Sequence, residues 1–173
     1  MWFNQCMTCE FKTIALIGKY QSAEVTESLH TLAQWLHASG REVLIESDSA
    51  DVLQGADFEP ADFGLIGRRA KLAVVVGGDG SLISAARKLA PYDIPLVGVN
   101  QGRLGFLTDV ARSGMLPAME ALMQGQFRPE RRALLQASVW RSGERLFSAL
   151  ALNDVVVSKG DLGRMIEFEV RVD

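Results

Sequence analysis

A single carboxylate stands among three glycines in Gly77-Gly78-Asp79-Gly80, with Ser81 next in line. Residues of these types at this spacing suit phosphate chemistry. The glycines open backbone conformations closed to other residues and let a ligand come close to the main chain. Where such a turn opens a helix, the N–H groups from Gly78 to Ser81 could cradle a diphosphate. Asp79 would then bind Mg2+, orient a hydroxyl or act as a general base. The tetrapeptide lacks the P-loop lysine and does not match the dinucleotide G-x-G-x-x-G pattern. A structural reading competes, in which Asp79 simply caps the following helix. The turn alone leaves both open.

The elements around it must hold that turn in place. The apolar run Leu72 to Val76 reads as a buried strand ending at the glycines, and ligands of open α/β sheets bind at such carboxyl ends. Upstream, Phe11 to Ile17 reads as a first strand. A helix follows over Ser22 to Ser39, where Val25, Leu29, Leu32, Ala33 and Leu36 recur at helical spacing, with Gly40 as its cap. Glu42 to Glu46 reads as a strand, and the acidic stretch from Ser47 to Asp62 as a mobile surface loop with room for a short helix. Downstream, the pattern predicts a helix over Ser81 to Ala90 ended by Pro91, a strand over Ile94 to Asn100 and a helix over Gly114 to Met123. Alternation of this kind implies a parallel sheet covered on both faces.

Near Gln126 the pattern changes to short strands: Leu134 to Trp140, Arg145 to Ala151, Val155 to Ser158 and Met165 to Val172, with Ser142-Gly143 as a hairpin turn. The expected fold is α/β, an open parallel sheet with helices on both faces, followed by the start of an all-β second domain. The expected divisions are an unstructured extension at 1–10, an α/β nucleotide-binding domain at 11–126 and an incomplete all-β domain at 127–173.

Composition narrows the partners. The 173 residues are 48% hydrophobic and 23% charged with a net charge of −3, which lacks the basic surplus of a nucleic-acid binder. The clusters Arg68-Arg69-Ala70-Lys71 and Arg128 to Arg132 read as solvated faces. No apolar run approaches membrane-spanning length, and the first residues lack a secretory pattern. Cys6 and Cys9 form a lone C-x-x-C without the further ligands a zinc site needs, because His30 and His37 lie on a helical pattern. Reduced, incidental thiols fit better and point to the cytoplasm.

Two further stretches bear on Asp79. Gly98-Val99-Asn100 through Leu104-Gly105-Phe106-Leu107 forms a second glycine-rich turn at the next strand end, and adjacent strand ends of this kind form one crevice. Asn153-Asp154 precedes an apolar strand pattern; it is either a turn or an amide and a carboxylate aimed at ribose hydroxyls. A base that takes the proton of a sugar hydroxyl in line with a γ-phosphate is what a kinase requires. With Met165-Ile166-Glu167-Phe168, these stretches resemble, in order and spacing, the NAD kinase family over Phe11 to Asp173.

The resemblance implies ATP-dependent phosphorylation of the adenosine-ribose 2′-hydroxyl of NAD, giving NADP, with a divalent metal such as Mg2+ carried mainly by the phosphates and no protein ligand named. It makes Asp79 the proton acceptor and sets Gly78 and Gly80 beside the dinucleotide. Phe106 would lie near the adenine, while Asn153 and Asp154 would meet ribose hydroxyls or the nicotinamide end. Arg164 holds a position that contacts dinucleotide in related proteins, and Asn100 shapes its turn. Homo-oligomers are expected from the family. The family's Gly-Ser-Thr-Ala-Tyr and Ala-Gly-Gly-Pro segments have no match here, so the expectation is an N-terminal portion with little or no turnover alone. A lipid kinase and a non-catalytic nucleotide-binding or oligomerisation module are the rival readings.

Overall fold

The computed structural model describes residues 11–18, 22–50, 58–102, 105–108, 110–158, 167 and 169–171. The chain forms two compact units, Met1–Arg132 and Ala133–Asp173. The first unit is built on a parallel sheet. Its elements run β1 (Thr13–Gly18), α1 (Ala23–Ala38), β2 (Glu42–Glu46), α2 (Ser47–Ala50), β3 (Glu59–Ala61), α3 (Phe63–Arg69), β4 (Leu72–Val76), α4 (Asp79–Leu89), β5 (Leu96–Asn100), β6 (Val110–Ala111) and α5 (Met115–Met123). Strand order is β3-β2-β1-β4-β5-β6, every pairing parallel.

The central strands are buried because both faces are covered. Ile14 and Leu16 of β1 and Leu72, Val74 and Val76 of β4 pack on one side with Leu29, Leu32 and Leu36 of α1 and Met115 and Met119 of α5. The intervening residues Ala15, Ile17, Ala73 and Val75 face the other side, against Ile66 of α3 and Leu82, Ala85 and Leu89 of α4. The period of two along each strand assigns these faces. At the start of α1, the Ser22 hydroxyl accepts from the Val25 N–H, and past its end Gly40 adopts a φ of 74° that favours glycine.

Several sequence expectations need correction. In the stretch from Ser47 to Asp62 the expected short helix is α2, but the edge strand β3 was not expected. The helix α3 was not foreseen either. Leaving the β2–β3 side for β4 on the far side of β1 is a parallel connection, which requires a crossover. The Asp62 carboxylate caps α3 by accepting from the Leu65 N–H, at 2.6 Å. Gly64 and Gly67 hid its apolar periodicity, and Gly67 leaves room for the Tyr92 ring, which an added Cβ would meet at 2.3 Å. In the basic cluster, Arg69 pairs with Glu59 of β3 at 2.8 Å and with Glu42 of β2, tying α3 to the sheet edge. The short strand β6 also escaped the sequence reading.

The second unit presents an antiparallel hairpin, β7 (Leu135–Arg141) and β8 (Glu144–Ala151). Ser142 and Gly143, with φ of 52° and 83°, make the turn that suits twisted hairpin strands. Val155 to Ser158 is not a strand. Its β-branched run has the propensity but no ladder partner among the described residues, and Val155, Val156 and Val157 are exposed. Glu167 and 169–171 are not in a strand, and the rest of the expected last strand lies outside the described residues, as do 1–10 with Cys6 and Cys9. Among the described residues, no helix is long and apolar enough to cross a membrane.

Candidate functional site

The site begins where β4 ends. The Gly77 N–H donates to the Val99 carbonyl at 2.9 Å, so the glycine turn is tied to β5 before α4 starts. A Cβ on Gly77 would meet Ser81 Oγ at 2.6 Å. Gly78 is the N-cap of α4 and Asp79 its first helical residue, so the helix opens two residues earlier than the sequence suggests. Cβ atoms on Gly78 and Gly80 would meet nothing within 4 Å, which leaves this main chain approachable. The first N–H groups of a helix have no carbonyl ahead of them, and their dipole favours an anion.

Asp79 does not cap its own helix: the N-cap is Gly78, and the Asp79 carboxylate takes its hydrogen bonds elsewhere. Its carboxylate reaches instead to the loop after β5. Oδ2 accepts from the Phe106 N–H at 2.7 Å. Oδ1 accepts from the Leu107 N–H at 3.2 Å, the Thr108 N–H at 3.1 Å and the Thr108 hydroxyl at 2.9 Å. Gly105 lets the loop come this close, since a Cβ there would lie 2.1 Å from Oδ1. Desolvation pushes the Asp79 pKa up, but the hydrogen bonds from Phe106, Thr108 and Leu107 outweigh it and hold the carboxyl below its ordinary value. Asp79 is therefore an ionised acceptor at neutral pH, with room for one more donor at Oδ2.

On the other side of the α4 N-terminus lies an open cleft of about 620 Å³. Gly18 at the end of β1, Glu46 at the end of β2, Gly78, Gly80 and Ser81 line it, with Lys88 farther along α4. The chain runs outward from β1 through β2 to β3, then returns to β4 and proceeds to β6. The cleft thus lies at the point where strand order reverses, the usual place for a ligand in open α/β sheets.

The structure brings Gly78, Asp79, Gly80 and Phe106 into one neighbourhood, with the Phe106 side chain 90% exposed. Asn153 and Asp154 lie in the second unit, exposed in the segment after β8. Arg164 lies outside the described residues. Asn100 is buried, and its amide spans from the Gly102 N–H to the Thr108 hydroxyl. Thr108 was missed by the sequence reading, although it directly follows the glycine-rich stretch; only its contact with Asp79, 29 positions away, marks it. Among the described residues no group of three or more His, Cys, Asp and Glu side chains could hold a metal ion.

Comparison with known proteins bears on the family. Residues 14–127 match the family described as ATP-NAD kinase N-terminal domain. The chain is 56% identical to the NAD kinase of Azoarcus sp. over 96% of its own length and 57% of the relative's. It is 49% identical to the NAD kinase of Aromatoleum aromaticum over 100% of its length and 58% of the relative's. The chain spans little more than half the length of these curated relatives. In fold it is similar to the crystal structure of yeast NADH kinase complexed with NADH, with a TM-score of 0.71 at 16% identity, covering 83% of this chain and 47% of that one. A glycine turn with an anchored aspartate, on a sheet of this order and within a sequence this close to those relatives, means that the chain belongs to the NAD kinase family.

Proposed function

We propose that this chain carries the phosphoryl-transfer half of an NAD kinase, which phosphorylates the 2′-hydroxyl of the adenosine ribose of NAD with ATP to give NADP. The observation that carries this reading is the Asp79 carboxylate, held ionised at the end of β4 with one oxygen still able to accept a hydroxyl. In the proposed step the ribose O–H donates its proton to Asp79 Oδ2 as its oxygen attacks the γ-phosphorus. The bond from that phosphorus to the β,γ-bridging oxygen breaks and ADP leaves. Phosphoryl transfer passes through a loose transition state, so positioning and charge stabilisation dominate, and a carboxylate of low basicity suffices. The open main chain of Gly78 and Gly80 holds phosphate oxygens, and the exposed Phe106 ring offers a face to the adenine. Asn153 and Asp154 are proposed to bind ribose hydroxyls or the nicotinamide end, and Arg164 to contact the dinucleotide. Mg2+ carried by the nucleotide phosphates would neutralise their charge. Self-association of copies and a cytoplasmic setting belong to the same reading.

The test is formation of NADP from NAD, ATP and Mg2+ by a full-length kinase that contains this chain, with and without Asp79→Asn. The substitution should abolish most of the turnover and spare NAD binding measured by calorimetry. Turnover that survives it would remove the base assignment.

A further inference from the structure

We propose that Asn100 and Thr108 form a polarised relay that orients Asp79 and divides the work between its two oxygens, anchoring Oδ1 and presenting Oδ2 to the acceptor hydroxyl. The proposal rests on the reading of Asp79 as proton acceptor.

The direction of each hydrogen bond follows from what each group can do. The Gly102 N–H can only donate, and it meets Asn100 Oδ1 at 2.8 Å. That contact fixes which way round the Asn100 amide lies, so its NH2 faces Thr108 Oγ1, at 2.7 Å. An amide NH2 cannot accept, so Thr108 Oγ1 is the acceptor there. The hydroxyl's own proton is then directed to Asp79 Oδ1, at 2.9 Å. With the N–H groups of Leu107 and Thr108 also on Oδ1, that oxygen has its lone pairs engaged. Oδ2 receives the Phe106 N–H and keeps one accepting direction.

Burial makes the chain of bonds obligatory. Thr108 is 0% exposed and Asn100 5%, so water does not compete for these groups. Two glycines make the space. Gly98 admits the Thr108 methyl, which a Cβ there would meet at 2.7 Å, and Gly105 admits Asp79 Oδ1. Among the described residues, no charged side chain figures among the influences on Asp79: Phe106, Leu107 and Thr108 act through neutral groups. Thr108 and Asn100 are thus positioning residues, acting through Asp79.

The test is a carbon-13 NMR titration of the Asp79 carboxyl in the full chain, with the resonance assigned from Asp79→Asn. Thr108→Val removes the hydroxyl but keeps the shape and should raise the titration midpoint. Thr108→Ser keeps the hydroxyl and should leave the midpoint close to the parent's. Asn100→Asp supplies an acceptor where the amide donated, draws the Thr108 proton away from Asp79 and adds a like charge. Its midpoint should rise further than that of Thr108→Val. The relay is overturned if the serine variant behaves like the valine variant, or if a folded Asn100→Asp leaves Asp79 unmoved. If Asn100→Asp does not fold, the valine and serine pair decides alone. Where NADP formation is measured, Thr108→Val should lower kcat roughly tenfold with little change in KM for NAD, and serine should restore it. Survival of turnover in Asp79→Asn would remove the proton-acceptor reading, while the titration would still judge the relay.

Discussion

The two units treat their apolar residues differently. In the first, β1 and β4 are buried along their whole length, because crossover helices cover both faces of the sheet. In the hairpin, the pairs Leu135 with Ala151, Ala137 with Ala149 and Val139 with Phe147 line up on one face, which ends at the charged pair Arg141 with Glu144. Yet Leu135, Val139 and Phe147 are half exposed or more. The opposite face is mixed: it carries Gln136 with Leu150, Ser138 with Ser148 and Trp140 with Arg145, with a hydrogen bond between the two serine hydroxyls. The parallel unit thus buries its apolar strands, whereas the hairpin leaves Leu135, Val139, Trp140 and Phe147 exposed. Chemistry follows the same division. The anchored carboxylate sits on the first unit, and the proposed ribose ligands Asn153 and Asp154 follow the hairpin.

That comparison can be broken or sharpened by measurement. The largest effect should come from Asp79→Asn, which should lower the rate of NADP formation by about 10²–10⁴. Alanine at Asn153 and Asp154 should instead weaken NAD binding, read as a raised KM; a pure loss of kcat would show that the second unit takes part in the chemistry. In stability, Leu32→Ala should cost about 2–5 kcal/mol in urea unfolding, since Leu32 is fully buried between α1 and the sheet. Phe147→Ala should change the same transition by less than about 1 kcal/mol. A large loss there would mean that the hairpin face is covered. Phe106→Ala should leave stability nearly unchanged, because its side chain is 90% exposed, and reduce dinucleotide affinity roughly tenfold.

The smallest effect is in pH dependence. Asp79 has a lower pKa folded than unfolded, so it stabilises the native state above the unfolded value of about 3.9. As pH falls from there through the folded pKa, the unfolded chain binds more protons and this contribution is lost. Unfolding of the parent and of Asp79→Asn across that range should show the parent's advantage shrinking with acid. A constant difference would mean that the hydrogen bonds of Phe106 and Thr108 do not favour the ionised form.

Much of the sheet was legible because its signals are local. Continuous apolar runs announced β1, β2 and β4, the helical stripe from Val25 to Leu36 announced α1, and Ser142-Gly143 announced the hairpin. Gly77-Gly78-Asp79-Gly80 was visible as a turn for the same reason: glycine frequency and an apolar run that stops are properties of neighbouring residues. Elements without local periodicity were not legible. β3 and β6 are edge strands of two or three residues, and α3 is a short helix interrupted by glycines.

The sequence by itself therefore determined the parallel architecture and the candidate carboxylate. Tertiary structure decided what that carboxylate touches. Asp79 turns away from its own helix because Phe106, Leu107 and Thr108, 27 to 29 positions on, offer it four donors. Those donors arrive only because β4 and β5 are neighbours in the sheet and Gly105 lets the loop close against Oδ1. Long-range hydrogen bonds depend on strand order and close approach, which no local period encodes. For that reason Thr108 became visible as a partner of Asp79 only once the sheet was assembled.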